Sequence, residues 1–419
     1  MPDVAETDVA IIGGGVIGIA CAYYLAGAGR SVRVLERGKV GSGASRANCG
    51  LVTPSHAAPL TLPGMPSKAL RMMLDPGSPF HINARIGLAD LPWFVRMARA
   101  CGSAAAGRSM RARAALLNSS RALYDELLRG EGLQCRWETV GLLEVYRDPA
   151  VRTAQQRLAE ALTEVGVRSV DLDGEQARRR EPALREEVCG ARWFQDDAHL
   201  RPDLLAAEWA RVVRARGADI VEDCAVEAAR IEGGRVLELA TSKGPVRSRH
   251  VVVAAGAWSP RLSDILGIAI RVRPGKGYSI TMRRPDVCPA LPLLLKERSV
   301  AVTPWSDGFR LGGTMQFAGY DDRLEPRRLA AIREGAGRYL LTTFGEAEGE
   351  FAEWTGWRPM SPDEVPFIGP SPRHRNLLLA TGHGMLGVSM ATGTGKLVSE
   401  LICERPPHVD PAFYDPARL

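Results

Sequence analysis

Residues 9–29 carry no charged side chain, and within them Gly13-Gly14-Gly15-Val16-Ile17-Gly18 spaces its glycines so that a strand can turn at once into a helix. An uncharged run of this length also fits a membrane span. Here Gly13, Gly14, Gly15, Gly18, Gly27 and Gly29 dilute the hydrophobicity, and the preceding flank holds Asp3, Glu6 and Asp8 where a secretory leader needs a basic start. The run therefore reads as a βα unit: residues 8–12 form a strand buried on both faces, and the glycines lead into the helix. Gly13 permits the tight turn, Gly15 leaves no Cβ between backbone and a pyrophosphate, and Gly18 lets the helix close on the strand. The helix opening at Val16 and Ile17 offers free N–H groups and a positive dipole end to the anion.

Residues 31–36 read as the second strand, ending on Glu36, whose carboxylate is placed to accept both hydroxyls of an adenosine ribose, with Arg37 beside it in the cofactor set. The glycine motif alone leaves the dinucleotide open. Residues 41–52, a loop of small hydrogen-bonding residues, suit a longer and bulkier ligand such as FAD, since a nicotinamide domain would normally proceed to another βα unit.

From this loop onward the sequence resembles the FAD-dependent amine and amino-acid oxidoreductases, the family of D-amino-acid oxidase, glycine oxidase and the bacterial D-amino-acid dehydrogenases. Four blocks carry the resemblance: the glycine motif with Glu36; residues 45–50 (SRANCG); residues 251–258 (VVVAAGAW); and residues 356–363 (GWRPMSPD) leading to 381–387 (TGHGMLG). The last block looks most like the small subunit of the bacterial D-amino-acid dehydrogenases. The resemblance implies that Ser45, Asn48, Gly50, Leu51, Ala255, Gly256 and Trp258 contact the cofactor. It puts the Val226 backbone at the adenine. Gly382, His383, Gly384, Met385, Leu386 and Gly387 would meet the flavin, with the next helix dipole facing its C2 carbonyl side. No cysteine lies in that last loop, so the FAD is expected to be non-covalent.

By the same resemblance Arg358 clamps the substrate carboxylate, a task suited to a planar guanidinium fork. Tyr278 is the second catalytic candidate, donating a hydroxyl to that carboxylate or covering the substrate. His383 is expected to position through its backbone, and His56 is not counted in the site. The implied reaction is hydride transfer from Cα of a D-amino acid to flavin N5, giving an imino acid and then a 2-oxo acid. D-proline or cis-4-hydroxy-D-proline dehydrogenation, as the flavoprotein subunit of an electron-transferring complex, and sarcosine or glycine oxidation stand as alternatives.

The expected fold is α/β: a discontinuous Rossmann-like FAD-binding domain (residues 1–84, 201–267 and 345–419) and a substrate domain (85–200 and 268–344) with a mixed, largely antiparallel sheet. Gly393-Thr394-Gly395-Lys396 mimics a P-loop but lacks its spacing, so Lys396 reads as a surface helix residue. A formal charge of +6 without an interleaved aromatic and basic pattern gives no sign of nucleic-acid binding. Eight scattered cysteines without a CxxC indicate reduced thiols and a cytoplasmic protein, and dispersed histidines indicate no metal site. Arginines between residues 85 and 129 read as a solvated helical face. The alternative is contact with a redox partner or with the inner face of the cell membrane. The partners implied are a small amino or imino acid and an electron acceptor: a quinone, an electron-transfer protein or a partner subunit.

Overall fold

The computed structural model describes residues 6–73, 78, 80–82, 87, 90–350 and 352–419, with the side chains of Lys68, Leu70, Arg71 and Met73 left aside. The expected boundary at residues 84 and 85 lies outside the described residues. A six-stranded sheet runs in the order Phe367–Pro370, Leu377–Thr381, Ser248–Val253, Thr7–Ile12, Val32–Leu35, Asp219–Val221. All its pairs are parallel except that of the edge strand Phe367–Pro370. Alternation along the first strand divides its burial between two layers. Val9 and Ile11 face the helices Val16–Gly27 and Gly387–Ile402, while Ala10 and Ile12 face the three-stranded sheet built on Val226–Glu232, Arg235–Thr241 and Gly244–Val246. The two helices touch backbone to backbone, since a Cβ on Gly395 would lie 2.6 Å from the Ala20 carbonyl.

The second layer system is a nine-stranded, largely antiparallel sheet in the order Glu353–Met360, Arg273–Met282, Gly308–Phe317, Val300–Trp305, Leu293–Leu295, Leu142–Tyr146, Gly190–Phe194, Ser169–Asp173, with Phe80–Ile82 pairing Gly308–Phe317. The sheets do not follow the expected division at residue 345. Glu353–Met360 pairs with Arg273–Met282 over eight registered positions, so the strand bearing Arg358 belongs to this sheet. A hairpin begins at Val226 and turns at Gly233-Gly234. Helix Pro202–Ala215 opens on proline at its first position, where the missing N–H costs nothing.

Helix Ser103–Glu131 lies against Gly387–Ile402, with the Tyr124 hydroxyl donating to the Val388 carbonyl (2.7 Å). The solvated-face reading of this helix fails at Arg113, which is buried. Its guanidinium pairs with Glu364 (3.1 Å) and donates to the His56 carbonyl (2.7 Å), stitching the helix to the turn Pro54–Ala57. Lys396 also departs from expectation. Its helix is packed nearly all round, and the half-buried ammonium pairs with the buried Glu400. Among the described residues no helix is long and apolar enough to cross a membrane, and no metal-ligating cluster occurs.

Candidate functional site

The glycine motif adopts the geometry that the spacing calls for. Gly13 sits at φ +113°, and a Cβ there would lie 2.6 Å from the Ala254 carbonyl oxygen; one on Gly18 would lie 1.9 Å from the Gly13 oxygen. The turn therefore wedges helix, first strand and the strand ahead of Ala255 and Gly256 into one seam. Helix Val16–Gly27 starts on Gly15 with no side-chain cap and no acid in its first turn, the arrangement an anion needs. Glu36 is braced at the neighbouring strand end by the N–H groups of Gly14 (2.7 Å) and Gly38 (2.8 Å). The Cys224 N–H bonds the Glu36 carbonyl (2.8 Å), bringing the segment before Val226 to the same edge. Arg37 lies over the Trp258 ring at 4.3 Å, so those two residues close one flank together.

The loop over residues 44–51 continues the seam. Ser45 Oγ accepts from the Val16 N–H (3.0 Å), and Asn48 bridges its own loop by accepting from the Gly50 N–H and donating to the Ala44 carbonyl. Asn48 thus shapes the loop around Gly50 and Leu51. Beyond it opens a cavity of about 490 Å³, lined by residues from 44–51, by Met385, Leu386 and Val388, and by Tyr278 and Arg358 of the nine-stranded sheet. Helix Gly387–Ile402 begins at this cavity, again without side-chain cap or first-turn acid. A flavin dinucleotide fits these residues: two helix starts without an acid in the first turn, a Cβ-free turn and a braced carboxylate lie along the seam that ends in the cavity. Cys49 in the cavity wall keeps its proton, since burial pushes the thiol pKa up.

Arg358 is the central charge of the cavity. Gly277 leaves room for it, because a Cβ there would lie 2.2 Å from Nη1 and 2.4 Å from Cζ and Nη2. The guanidinium crosses the Gly277 strand and donates to the Thr314 carbonyl (2.7 Å). At that point the register between Arg273–Met282 and Gly308–Phe317 slips, and Thr314 takes φ +66°, rare for a β-branched residue. The bulge turns a carbonyl to the arginine, as bulges beside active sites do. No carboxylate pairs with Arg358 among the described residues, and burial pushes its pKa down.

Tyr278 lines the same cavity, but its hydroxyl donates to Gln316 Oε1 (2.9 Å). The expected donation to a carboxylate would break that bond, whereas the other expectation, covering the substrate, leaves it in place. His383 is buried beneath the loop, its Nε2 3.0 Å from Thr394 Oγ1, and burial pushes its pKa down to about 3. The imidazole therefore stays neutral, which suits backbone positioning by Gly382 to Gly387.

His56, left out of the site by sequence, lines the cavity. So do Ser55, Glu144, Lys296 and Arg192. Burial works against the Glu144 carboxylate, but Lys296 (2.7 Å) and the Tyr146 hydroxyl (2.6 Å) hold its pKa below the usual range. A signal was available for two of them. His56 follows the FAD loop closely, and Glu144 is the single charge in the otherwise apolar strand Leu142–Tyr146.

Residues 8–401 match the family described as FAD dependent oxidoreductase. The chain is 33% identical over 402 residues to a D-amino acid dehydrogenase of Vibrio cholerae serotype O1, covering 94% of each chain. Glycine oxidase from Geobacillus kaustophilus superposes with a TM-score of 0.77 at 25% identity, covering 99% of both chains. L-proline dehydrogenase from P. horikoshii superposes at 0.78 and 20% identity over 99% of this chain and 98% of that one, a likeness of fold alone.

Proposed function

The chain belongs to the FAD-dependent oxidoreductases, acts on amino donors with FAD as cofactor, and from that premise we propose that it dehydrogenates D-amino acids whose carboxylate is held by Arg358. The observation that carries this reading is a half-buried guanidinium in the wall of the cavity with no counter-ion among the described residues. Such a cation has lost part of its hydration without gaining an anion, so a substrate carboxylate restores what folding removed. Its planar fork fixes rotation as well as position, which aligns Cα. The D-amino-acid preference rests on the relatives that are one-third identical over nearly the whole chain. No side chain of the described cavity wall singles out a proline ring.

The FAD is held non-covalently by Gly13, residues 15–18, Glu36, Arg37, Ser45, Asn48, Gly50, Leu51, Val226, Ala255, Gly256, Trp258 and residues 382–387. When bound it supplies the two-electron acceptor for the Cα–H, leaving an imino acid that water hydrolyses to the 2-oxo acid. The protein's own part is orientation and exclusion of water. Arg358 anchors the carboxylate, Tyr278 walls the substrate, and Met385 and Leu386 close the apolar side. A quinone, an electron-transfer protein or a partner subunit then takes the electrons.

Anaerobic bleaching of the bound flavin by a panel of D- and L-amino acids, glycine, sarcosine and D-proline tests the reading. D-amino acids should bleach it fastest. Arg358→Ala should retain FAD yet lose about 10²- to 10³-fold in kcat/KM, the equivalent of two charge-assisted hydrogen bonds. Normal kcat/KM in that variant would sink the clamp.

A further inference from the structure

We propose that His56, Ser55 and Asp197 form a proton relay that carries the ammonium proton of the bound substrate out of the cavity, an inference that rests on the amino-acid dehydrogenase reading above. Oxidation at Cα requires a neutral amine, whereas an amino acid enters mostly as the ammonium form. The proton therefore needs an exit, and Arg358 cannot provide one.

The geometry supplies a continuous path. His56 lines the cavity, and its Nε2 has no protein partner among the described residues. Its Nδ1 lies 3.4 Å from Ser55 Oγ, and Ser55 Oγ lies 2.5 Å from Asp197 Oδ2. The Ser55 N–H also donates to Asp197 Oδ1 (3.1 Å), so the carboxylate grips both polar groups of one residue. Asp197 is 1% exposed, and no arginine or lysine forms an ion pair with it among the described residues. A buried carboxyl held only by a serine is a costly way to fix a turn, since a neutral acceptor would do it without desolvating a charge.

The proton balance closes along these atoms. The ammonium N–H bond breaks as His56 Nε2 gains a proton; Nδ1 releases one to Ser55 Oγ; and the Ser55 hydroxyl releases its own to the Asp197 carboxylate. No electron moves in the relay. Burial and the neighbouring Lys296 push the His56 pKa down to about 4, with Glu144 opposing and Arg113 adding to the effect, so the ring rests neutral and holds a proton only in transit to Asp197. Asp197 is pushed up to about 7 by burial, against the lowering bonds from Ser55, with Asp196 raising and Arg121 lowering it further. The terminal acceptor is therefore part ionised near neutrality.

Lys296 keeps its ammonium on Glu144, and Arg113 keeps its guanidinium on Glu364 and the His56 carbonyl. Glu144 is held by Lys296 and the Tyr146 hydroxyl, which leaves the unpartnered Nε2 of His56 as the open acceptor on this wall.

The test compares the holoenzyme with His56→Phe and Asp197→Asn, the second nearly isosteric, by anaerobic stopped-flow reduction with one D-amino acid at about pH 7 and about pH 10, where the amine is largely neutral. Both variants should retain full FAD and reduce at least about tenfold more slowly at pH 7, and both should converge on the wild-type rate at pH 10. Without substrate, an infrared titration of the holoenzyme should show a carboxyl group ionising near pH 7 that Asp197→Asn abolishes. A rate loss of the same factor at both pH values marks a purely structural role and overturns the relay, as does an unchanged rate at pH 7. A wild-type flavin that no amino acid bleaches removes the functional reading itself, and the relay falls with it.

Discussion

Replacing Gly277 with alanine separates the position of Arg358 from its presence. The new Cβ would meet Arg358 Nη1 at 2.2 Å, and an ordinary contact is at least 3.4 Å, so the guanidinium must retreat by about 1.2 Å. The obstructing atoms are the end of a flexible side chain, so the strand need not move. The variant should therefore fold, bind FAD stoichiometrically, and melt within a few degrees of the wild type. Activity should respond differently. A guanidinium displaced by that much loses its bond to the Thr314 carbonyl and no longer presents its fork where the substrate carboxylate arrives. A misplacement near 1 Å costs on the order of 10²-fold, about 2.7 kcal/mol, and this is the drop expected in kcat/KM from steady-state dye reduction. Adding Gly277→Ala to Arg358→Ala should cost nothing further, because both act through one group. A single variant within about twofold of wild type, or full additivity in the double variant, refutes the argument that Gly277 is there to seat the arginine.

The remaining predictions use other parts of the site. Gly18→Ala drives a Cβ to 1.9 Å from the Gly13 carbonyl oxygen, which is backbone and cannot yield; the purified variant should carry little FAD by its visible spectrum, and stoichiometric FAD would contradict the close-packed seam. Acid should destabilise the fold through its buried histidines. His199 and His383 are neutral inside, with pKa values pushed down to about 4 and about 3, so the unfolded chain binds protons first as pH falls below about 6.5. Their stabilisation is complete above that value and fades toward the folded values, by up to about 3 and about 5 kcal/mol respectively. Asp197 works in the opposite sense, since a raised carboxyl pKa favours the folded state at low pH; Asp197→Asn should therefore steepen the fall in Tm between about pH 7 and about pH 4. A Tm that stays flat from pH 7 to pH 4 in that variant would contradict both assignments.

The dinucleotide seam was legible because its signals are local. Gly13 needs positive φ, Gly18 needs the absence of a Cβ, and the strand before them is apolar; all three are properties of adjacent residues. The helix after the 381–387 block was legible for the same reason. The sheet that carries Arg358 was not. Glu353–Met360 pairs with a strand some 80 positions earlier, as the registry of Arg358 with Gly275 shows, and nothing in its own sequence distinguishes it from a strand of the FAD domain. Chain continuity with the 381–387 block suggested the wrong sheet. Of the two roles open to Tyr278, donating to a carboxylate or covering the substrate, sequence could not choose, because the Gln316 that holds its hydroxyl lies across a strand pair displaced by the bulge.

The charges of the cavity show why position alone could not reveal which of them binds substrate. Arg113 finds Glu364 at a separation of 251 residues, Lys296 finds Glu144 at 152, and Arg192 finds Asp171. A sequence presents each of these as one more basic residue. In the folded protein their counter-ions are already in place, so an anion approaching Lys296 or Arg192 must compete with a carboxylate that is fixed and partly or wholly dry. Arg358 offers no such competition: its bound acceptor is a neutral carbonyl, and the bulge at Thr314 that supplies it leaves the rest of the fork to the cavity. The difference in free energy between the sites therefore comes less from the attraction of each cation than from what already sits on it. Among the described cations of the cavity wall, Arg358 is where a carboxylate gains a partner without displacing one, and this selects the end of the cavity at which the substrate is held.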